Sequence, residues 1–205
     1  MYQGVIQAVP VEPSAFASEL PALDFRTLFE SEYTYVRTSI RRLGVREREL
    51  PDLIHDVFFA VHRKLSDFDR TKPVRPWLFG ITFRVVVGHK RKLGYRREEL
   101  AASDSLDPVD ETPGIDQQIE DEERRQMVHE ALNYLDDAMR AVFVMHELDD
   151  LAMKDIALAL DLPLNTAYSR LRLAREDFRH AVERIVRRRS RAAFAPVANQ
   201  ERGPR

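Results

Sequence analysis

Apolar residues recur along this chain at three- and four-residue intervals, and no stretch alternates with a period of two for long enough to make a strand. From Asp24 the residues Phe25, Leu28, Phe29, Tyr33, Val36 and Ile40 fall on one stripe, which ends near Leu43-Gly44. A second helix is predicted to start at Pro51-Asp52, because proline in a first turn gives up an N–H that has no partner there. Its stripe is Leu53, Ile54, Val57, Phe58, Val61 and Leu65. After turn-forming residues 66–73, a third helix is predicted beyond Pro76, with Trp77, Leu78, Ile81 and Val85 inward. Helical pattern resumes near Ile119 and passes through Met127, Val128, Ala131, Leu132 and Leu135. It continues over Asp137–Leu148, Met153–Leu160 and Leu164–Arg188.

The gaps between these segments organise the chain. Residues 1–21 carry three prolines and little periodicity, and residues 98–118 hold Ser, Asp, Pro, Thr and Gly with isolated aliphatics, too few to bury a core. The predicted fold is all-α: two small helical domains, 22–97 and 123–189, joined by a flexible acidic linker at 98–122. Disordered tails are expected at 1–21 and 190–205.

Charge sharpens the picture. The net charge of the 205 residues is only −2, yet it is strongly segregated. From Phe83 to Arg97 there are six Lys/Arg and no acid, from Glu98 to Glu123 eleven Asp/Glu and no base, and from Arg170 to Arg191 nine Arg against three acids. Two basic modules on an acidic tether suit a protein that grips a polyanion at two places. The absence of cysteine excludes disulfides, thiolate catalysis and the usual structural zinc sites. No apolar run reaches membrane-spanning length, and the first twenty residues lack the basic and apolar regions of a secretory signal, so no membrane insertion and a cytoplasmic location are expected.

The most specific local pattern runs from Met153 to Arg175. Ala157 is the small residue needed where two helices cross, Ile156 and Leu160 face the core, and Asp161-Leu162-Pro163 makes the tight turn. On the next helix Ala167, Leu171, Ala174 and Phe178 repeat inward. The outer face then carries Asn165, Ser169, Arg172 and Glu176, flanked by Tyr168 and Arg175. This is a helix-turn-helix with a polar and cationic ridge of the kind that enters the major groove, where Arg and Asn read base edges and Ser and Thr hold phosphates.

Both halves together resemble the extracytoplasmic-function (ECF) sigma factors of bacterial RNA polymerase. Residues 25–92 are similar to sigma region 2 through Phe25-Arg-Thr-Leu-Phe29, Tyr33, Asp52-Leu-Ile-His-Asp-Val-Phe-Phe-Ala-Val-His-Arg-Lys-Leu65, Phe68 and Pro76-Trp-Leu-Phe-Gly-Ile81. Residues 124–180 resemble region 4 through Val128-His-Glu-Ala-Leu132, Leu135, Arg140-Ala-Val142, Glu147-Leu148 and the helix-turn-helix. The resemblance implies a promoter-recognising subunit without an active site, cofactor or metal. Its partners would be the polymerase core (clamp helices of the largest subunit and the beta flap), promoter DNA and an anti-sigma factor. It assigns polymerase docking to Asp52, His55, Asp56, Phe59, His62 and Arg63. The −10 element falls to Phe68, Arg70, Lys72, Arg75, Trp77, Arg84, Lys90 and Arg91, and the −35 element to Asn165, Thr166, Tyr168, Ser169, Arg172 and Arg175. The chain departs from the family pattern in three places. Arg84 stands where Asn is usual, Asn165-Thr166-Ala167 replaces Gly-Thr-Val with Tyr168 where a basic residue usually follows, and Leu135-Asp136 replaces Leu-Pro.

Two other classes share parts of this pattern. A helix-turn-helix regulator with a helical sensor domain would share the recognition helix but act without polymerase. His55-Asp56, with His62 two turns on, also resembles the His-Asp pairs of all-α metal phosphohydrolases. Such a site needs further ligands from other helices, and His89, His129, His146 and His180 sit in no such context.

Overall fold

The computed structural model describes residues 24–99 and 116–193, with side chains placed over 24–94 and 123–191. The tail expected at 1–21, residues 100–115 of the linker and the end of the basic tail lie outside the described residues. Helices account for the regular structure there, and α-helices number seven among the described residues.

Helix α1 (Phe25–Arg42) starts at Asp24, whose carboxylate accepts from the Thr27 N–H at 2.7 Å and the Thr27 hydroxyl at 3.1 Å. Those hydrogen bonds hold the Asp24 carboxyl below the usual range. Helix α2 (Leu50–Lys64) has Pro51 in its first turn, as predicted, and buries Leu53, Ile54, Val57, Phe58 and Val61. Helix α3 (Val74–Glu99) begins two residues before Pro76 rather than after it. Proline is tolerated there because the first four N–H groups of a helix have no intrahelical acceptor. Phe79 and Val86, outside the predicted inward stripe, are buried, while Trp77 and Val85 are half-buried. The reason is that α3 packs against α1 and α2 on one side and against the second half of the chain on another.

In that second half, α4 (Asp116–Leu132) and α7 (Leu164–Ala193) run against each other, with α5 (Asp137–Phe143) and α6 (Met153–Ala159) completing the bundle. Asp136, at the position where the family usually has proline, caps α5 by accepting from the N–H groups of Ala138 at 2.9 Å and Met139 at 2.8 Å. The helix predicted over Asp137–Leu148 is continuous, but its last turn, Val144–Leu148, widens to π. The helix-turn-helix is as expected: Ile156 and Ala157 are buried and Leu160 is partly buried, and Asp161 makes the turn at φ 54°. Helix α7 runs to Ala193, past the predicted end at Arg188. Arg188 and Arg189 pair with Glu130 of α4, so part of the basic run fastens α7 to its neighbour.

The two halves meet. Their buried residues form a hydrophobic cluster that reaches from Leu28 to Ala174, and polar contacts border it. Arg140, only 5% exposed, donates to the carbonyl oxygens of Leu43 at 3.0 Å and Leu135 at 3.3 Å. Burial pushes its guanidinium below the usual value, and Asp137 and Asp136 push it back. Gly44 (φ +84°) lies under this side chain, where a Cβ would meet an Arg140 nitrogen at 2.0 Å. Val57 is fully buried in the first half while Asp56 is exposed. Val57→Asp should therefore abolish the cooperative melt of that half, because an unpaired carboxylate there costs several kcal/mol. Asp56→Ala should shift the melting temperature little. Circular dichroism melts compare the two, and a native-like melt for Val57→Asp would contradict this packing.

Candidate nucleic-acid and polymerase interfaces

Three surfaces hold the residues singled out in the sequence. The first is the outer face of α7. Ala167, Leu171 and Ala174 turn inward, which leaves Asn165, Tyr168, Ser169 and Arg172 exposed, with Thr166 half-buried at the margin. Arg175 is exposed but held: its Nε and Nη2 donate to one carboxylate oxygen of Glu147 at 3.0 and 2.7 Å. Glu147 lies in the π turn before the helix-turn-helix, so that turn sets the direction of an arginine on the outer face of α7. The sequence reading noted Glu147 but gave it no role.

The second surface is the loop after α2 and the head of α3. Phe68 is half-buried against Trp77, with ring centroids 4.6 Å apart. Asp69 closes the loop by accepting from the Thr71 N–H and hydroxyl, which hold its carboxyl below the usual range, and Lys72 lies 3.6 Å from the same carboxylate. Arg70 and Arg91 are exposed. Arg75 donates to Glu32 at 3.1 Å and lies 5.0 Å from the centroid of the Tyr35 ring. Two expected −10 cations are engaged by the other half of the chain. Arg84 donates to the Ala159 carbonyl at 3.2 Å, and half-buried Lys90 donates to Asp137 at 2.5 Å and to the Leu43 carbonyl at 2.7 Å. Local periodicity cannot foresee partners so distant in sequence.

The third surface is the outside of α2. Asp52, His55, Asp56, His62 and Arg63 are exposed, and Phe59 is 58% exposed with the Arg63 guanidinium over its ring at 6.0 Å. Phe29 and Tyr33, which the stripe grouped with the core of α1, are 37% and 39% exposed. With Phe25, Phe58, Ile54 and His62 they line an aromatic groove between α1 and α2. His55 and Asp56 stand 3.9 Å apart, and no group of three or more potential ligands among the described residues could hold a metal ion.

The sigma-70 region 2 family matches residues 28–96 and the sigma-70 region 4 family matches residues 125–178, together more than half of the chain. The RNA polymerase sigma factor NccH of Alcaligenes xylosoxydans xylosoxydans is 28% identical over 137 residues, which cover 66% of this chain and 74% of that protein. The ECF RNA polymerase sigma-E factor of Escherichia coli (strain K12) is 27% identical over 164 residues, 76% of this chain and 85% of the relative. Among solved structures, the sigma factor RpoE in complex with the anti-sigma factor NepR, from Bartonella quintana, aligns with a TM-score of 0.61 at 20% identity. The alignment covers 78% of this chain and 97% of that one. CnrH, in complex with the cytosolic domain of CnrY, aligns with a TM-score of 0.54 at 24% identity over 78% and 87% of the two chains. These structural likenesses establish the shared fold.

The chain therefore belongs to the sigma-70 family of RNA polymerase sigma factors. Its relatives place it in the ECF group of that family.

The contact between Glu147 and Arg175 yields a direct test. Glu147→Ala should weaken promoter binding by holoenzyme by roughly 0.2–1 kcal/mol, the usual worth of an exposed pair. Combined with Arg175→Ala it should add nothing further. Fully additive losses would show that Glu147 does not act through Arg175.

Proposed function

We propose that this chain binds core RNA polymerase through the outer face of α2 and the aromatic groove beside it. The head of α3 then captures the −10 element as single strand, and the outer face of α7 reads the −35 element as duplex. The observation that carries the proposal is the presence of two unlike exposed surfaces on one small chain. One is an aromatic pair in a charged loop, and the other is a helix with a polar, arginine-bearing outer face on a helix-turn-helix.

Each surface suits its partner. Duplex DNA offers hydrogen-bonding base edges in a groove wide enough for one helix, and Asn165, Ser169 and Arg172 supply donors and acceptors there, with Tyr168 beside them. Unpaired bases offer flat faces, and Phe68 and Trp77 supply rings while Arg70, Lys72 and Arg75 surround them with positive charge. The groove on α1 and α2 offers apolar area without a partner among the described residues, edged by His55 and His62, which fits a protein surface rather than DNA. The units proposed are residues 22–97 for docking and −10 melting, 98–122 as tether, and 123–189 for −35 reading. The chain is read as having no active site of its own, since the polymerase performs the chemistry, and as acting in the cytoplasm. Among the described residues no helix is long and apolar enough to cross a membrane. The solved complexes with NepR and CnrY support an anti-sigma factor as a further partner.

Reconstitution with core polymerase tests the proposal. The mixture should initiate at a defined promoter that the free chain binds only weakly, because polymerase holds two modest contacts at a fixed separation. Tight, sequence-specific duplex binding by the chain alone would instead support the regulator reading. On a promoter that needs its −35 element, Arg172→Ala should lose roughly 1–3 kcal/mol of promoter binding with its fold intact. Phe68→Ala should slow opening of a duplex promoter, with much less effect on a template whose −10 region is already unpaired. Equal rates on the duplex for variant and wild type would remove Phe68 from the melting step.

A further inference from the structure

The outer face of α7 carries more apolar surface than hydrogen bonding to DNA requires. Leu164, the first residue of α7, is 44% exposed, and Tyr168, one turn on, is 53% exposed. A four-residue separation sets these side chains next to each other on the helix surface. Asn165 precedes Tyr168 by three residues and Arg172 follows it by four, and both are exposed. Tyr168 therefore stands between the two side chains of this face best suited to hydrogen-bond with base edges.

The ring has no task in the fold. Elsewhere in this half Phe178 stacks on Phe143 with centroids 4.6 Å apart, and the Arg184 guanidinium lies 4.9 Å from the centre of the Tyr134 ring. Among the described residues no ring or guanidinium meets Tyr168 in this way. Arg175, two turns further along the same flank, is held by Glu147 instead.

The major groove of DNA displays one apolar group, the 5-methyl of thymine. Asn165, Tyr168 and Arg172 are spaced by about 4.5 and 6 Å along the helix axis, against about 3.4 Å between stacked base pairs. The three side chains thus fall on neighbouring pairs rather than on one.

We propose that Tyr168, with Leu164 beside it, selects thymine in the −35 element: its ring covers the 5-methyl of a thymine close to the bases met by Asn165 and Arg172. This rests on the functional reading above, because it takes the outer face of α7 as the surface that enters the groove. It also gives a use to the departure at position 168. A basic side chain there would hold phosphate whatever the sequence, and its contribution would fall as salt rises. Tyrosine exchanges that contact for one that depends on a single base and little on salt.

The test uses holoenzyme reconstituted from the full chain and core polymerase, with promoter duplexes selected from a pool randomised over the −35 element. Each thymine of the selected element is then replaced singly by deoxyuridine, which removes only the methyl group. At one of them wild type should bind about fourfold more weakly, the worth of one buried methyl. Tyr168→Ala should bind the thymine and deoxyuridine duplexes equally, with an undiminished helical signal because the side chain it removes is exposed. Tyr168→Phe should keep the fourfold difference. Tyr168→Arg should lose it, while the slope of log affinity against log salt steepens by about one. A deoxyuridine scan without effect on wild type would overturn the proposal, as would a selected element without an A·T pair. So would a methyl dependence that survives in Tyr168→Ala, or one that vanishes in Tyr168→Phe and thereby assigns the contact to the hydroxyl. Those results leave the −35 reading of α7 standing, whereas a pool in which no base is enriched would overturn that reading and this inference with it.

Discussion

The approach of two backbones at Gly80 governs much of this molecule. A helix packs against another helix through side chains, ordinarily 8–10 Å axis to axis, but α6 comes close enough to α3 that its terminal carbonyl occupies the space of a Cβ. That closeness brings Ala159 within reach of Arg84, and it places Asp155 and Leu158 opposite the Phe68–Trp77 pair. It also explains why α3 is buried on more than one side, since its head must satisfy α1 and α2 and still accept α6. A helix shared in this way shows little of the one-sided pattern that identifies a surface helix, which is why Phe79 and Val86 did not stand out in its sequence.

Polar groups rather than apolar area set the alignment of the halves. Arg140 is a buried charge whose donors end on backbone carbonyls on either side of the seam, and Lys90 divides its ammonium between a carboxylate and one of those carbonyls. Burial pushes the Asp149 carboxyl above its usual range, against the pull of Tyr35 and Arg42. Apolar surfaces tolerate sliding, whereas a charge in a dry site must meet particular partners. The two halves are thus registered by groups whose burial is tolerable in one arrangement.

Local order was legible in the sequence wherever a single helix face decides burial. The stripe of α2, the small residue at the helix crossing and the inward repeat of Ala167, Leu171 and Ala174 all follow from a 3.6-residue period and appear where expected. Two kinds of feature were not legible. Periodicity does not distinguish an apolar residue sealed in the core from one at its open edge, so Phe29 and Tyr33 were grouped with Leu28 and Val36 although they are partly exposed. Pairings across the tether, such as Lys90 with Asp137, depend on how two folded units meet, and neither segment carries a mark of the other. Asp136 is an intermediate case. Its departure from the family's proline was visible, and only the structure shows that a capping carboxylate starts the same helix by another route.

The π turn at Val144–Leu148 also constrains how this chain can change length. Such a turn accommodates one residue more than an α-helical path between the same end points. Each residue advances an α-helix by about 100°, so removing one from this turn would leave the core of α5 in place and swing everything immediately after it by over a quarter of a revolution. Glu147 would then point away from Arg175, and Asp149 would leave Tyr35 and Arg42. An insertion or deletion here is therefore a rotation of the recognition unit, although a sequence comparison would score it as a single gap.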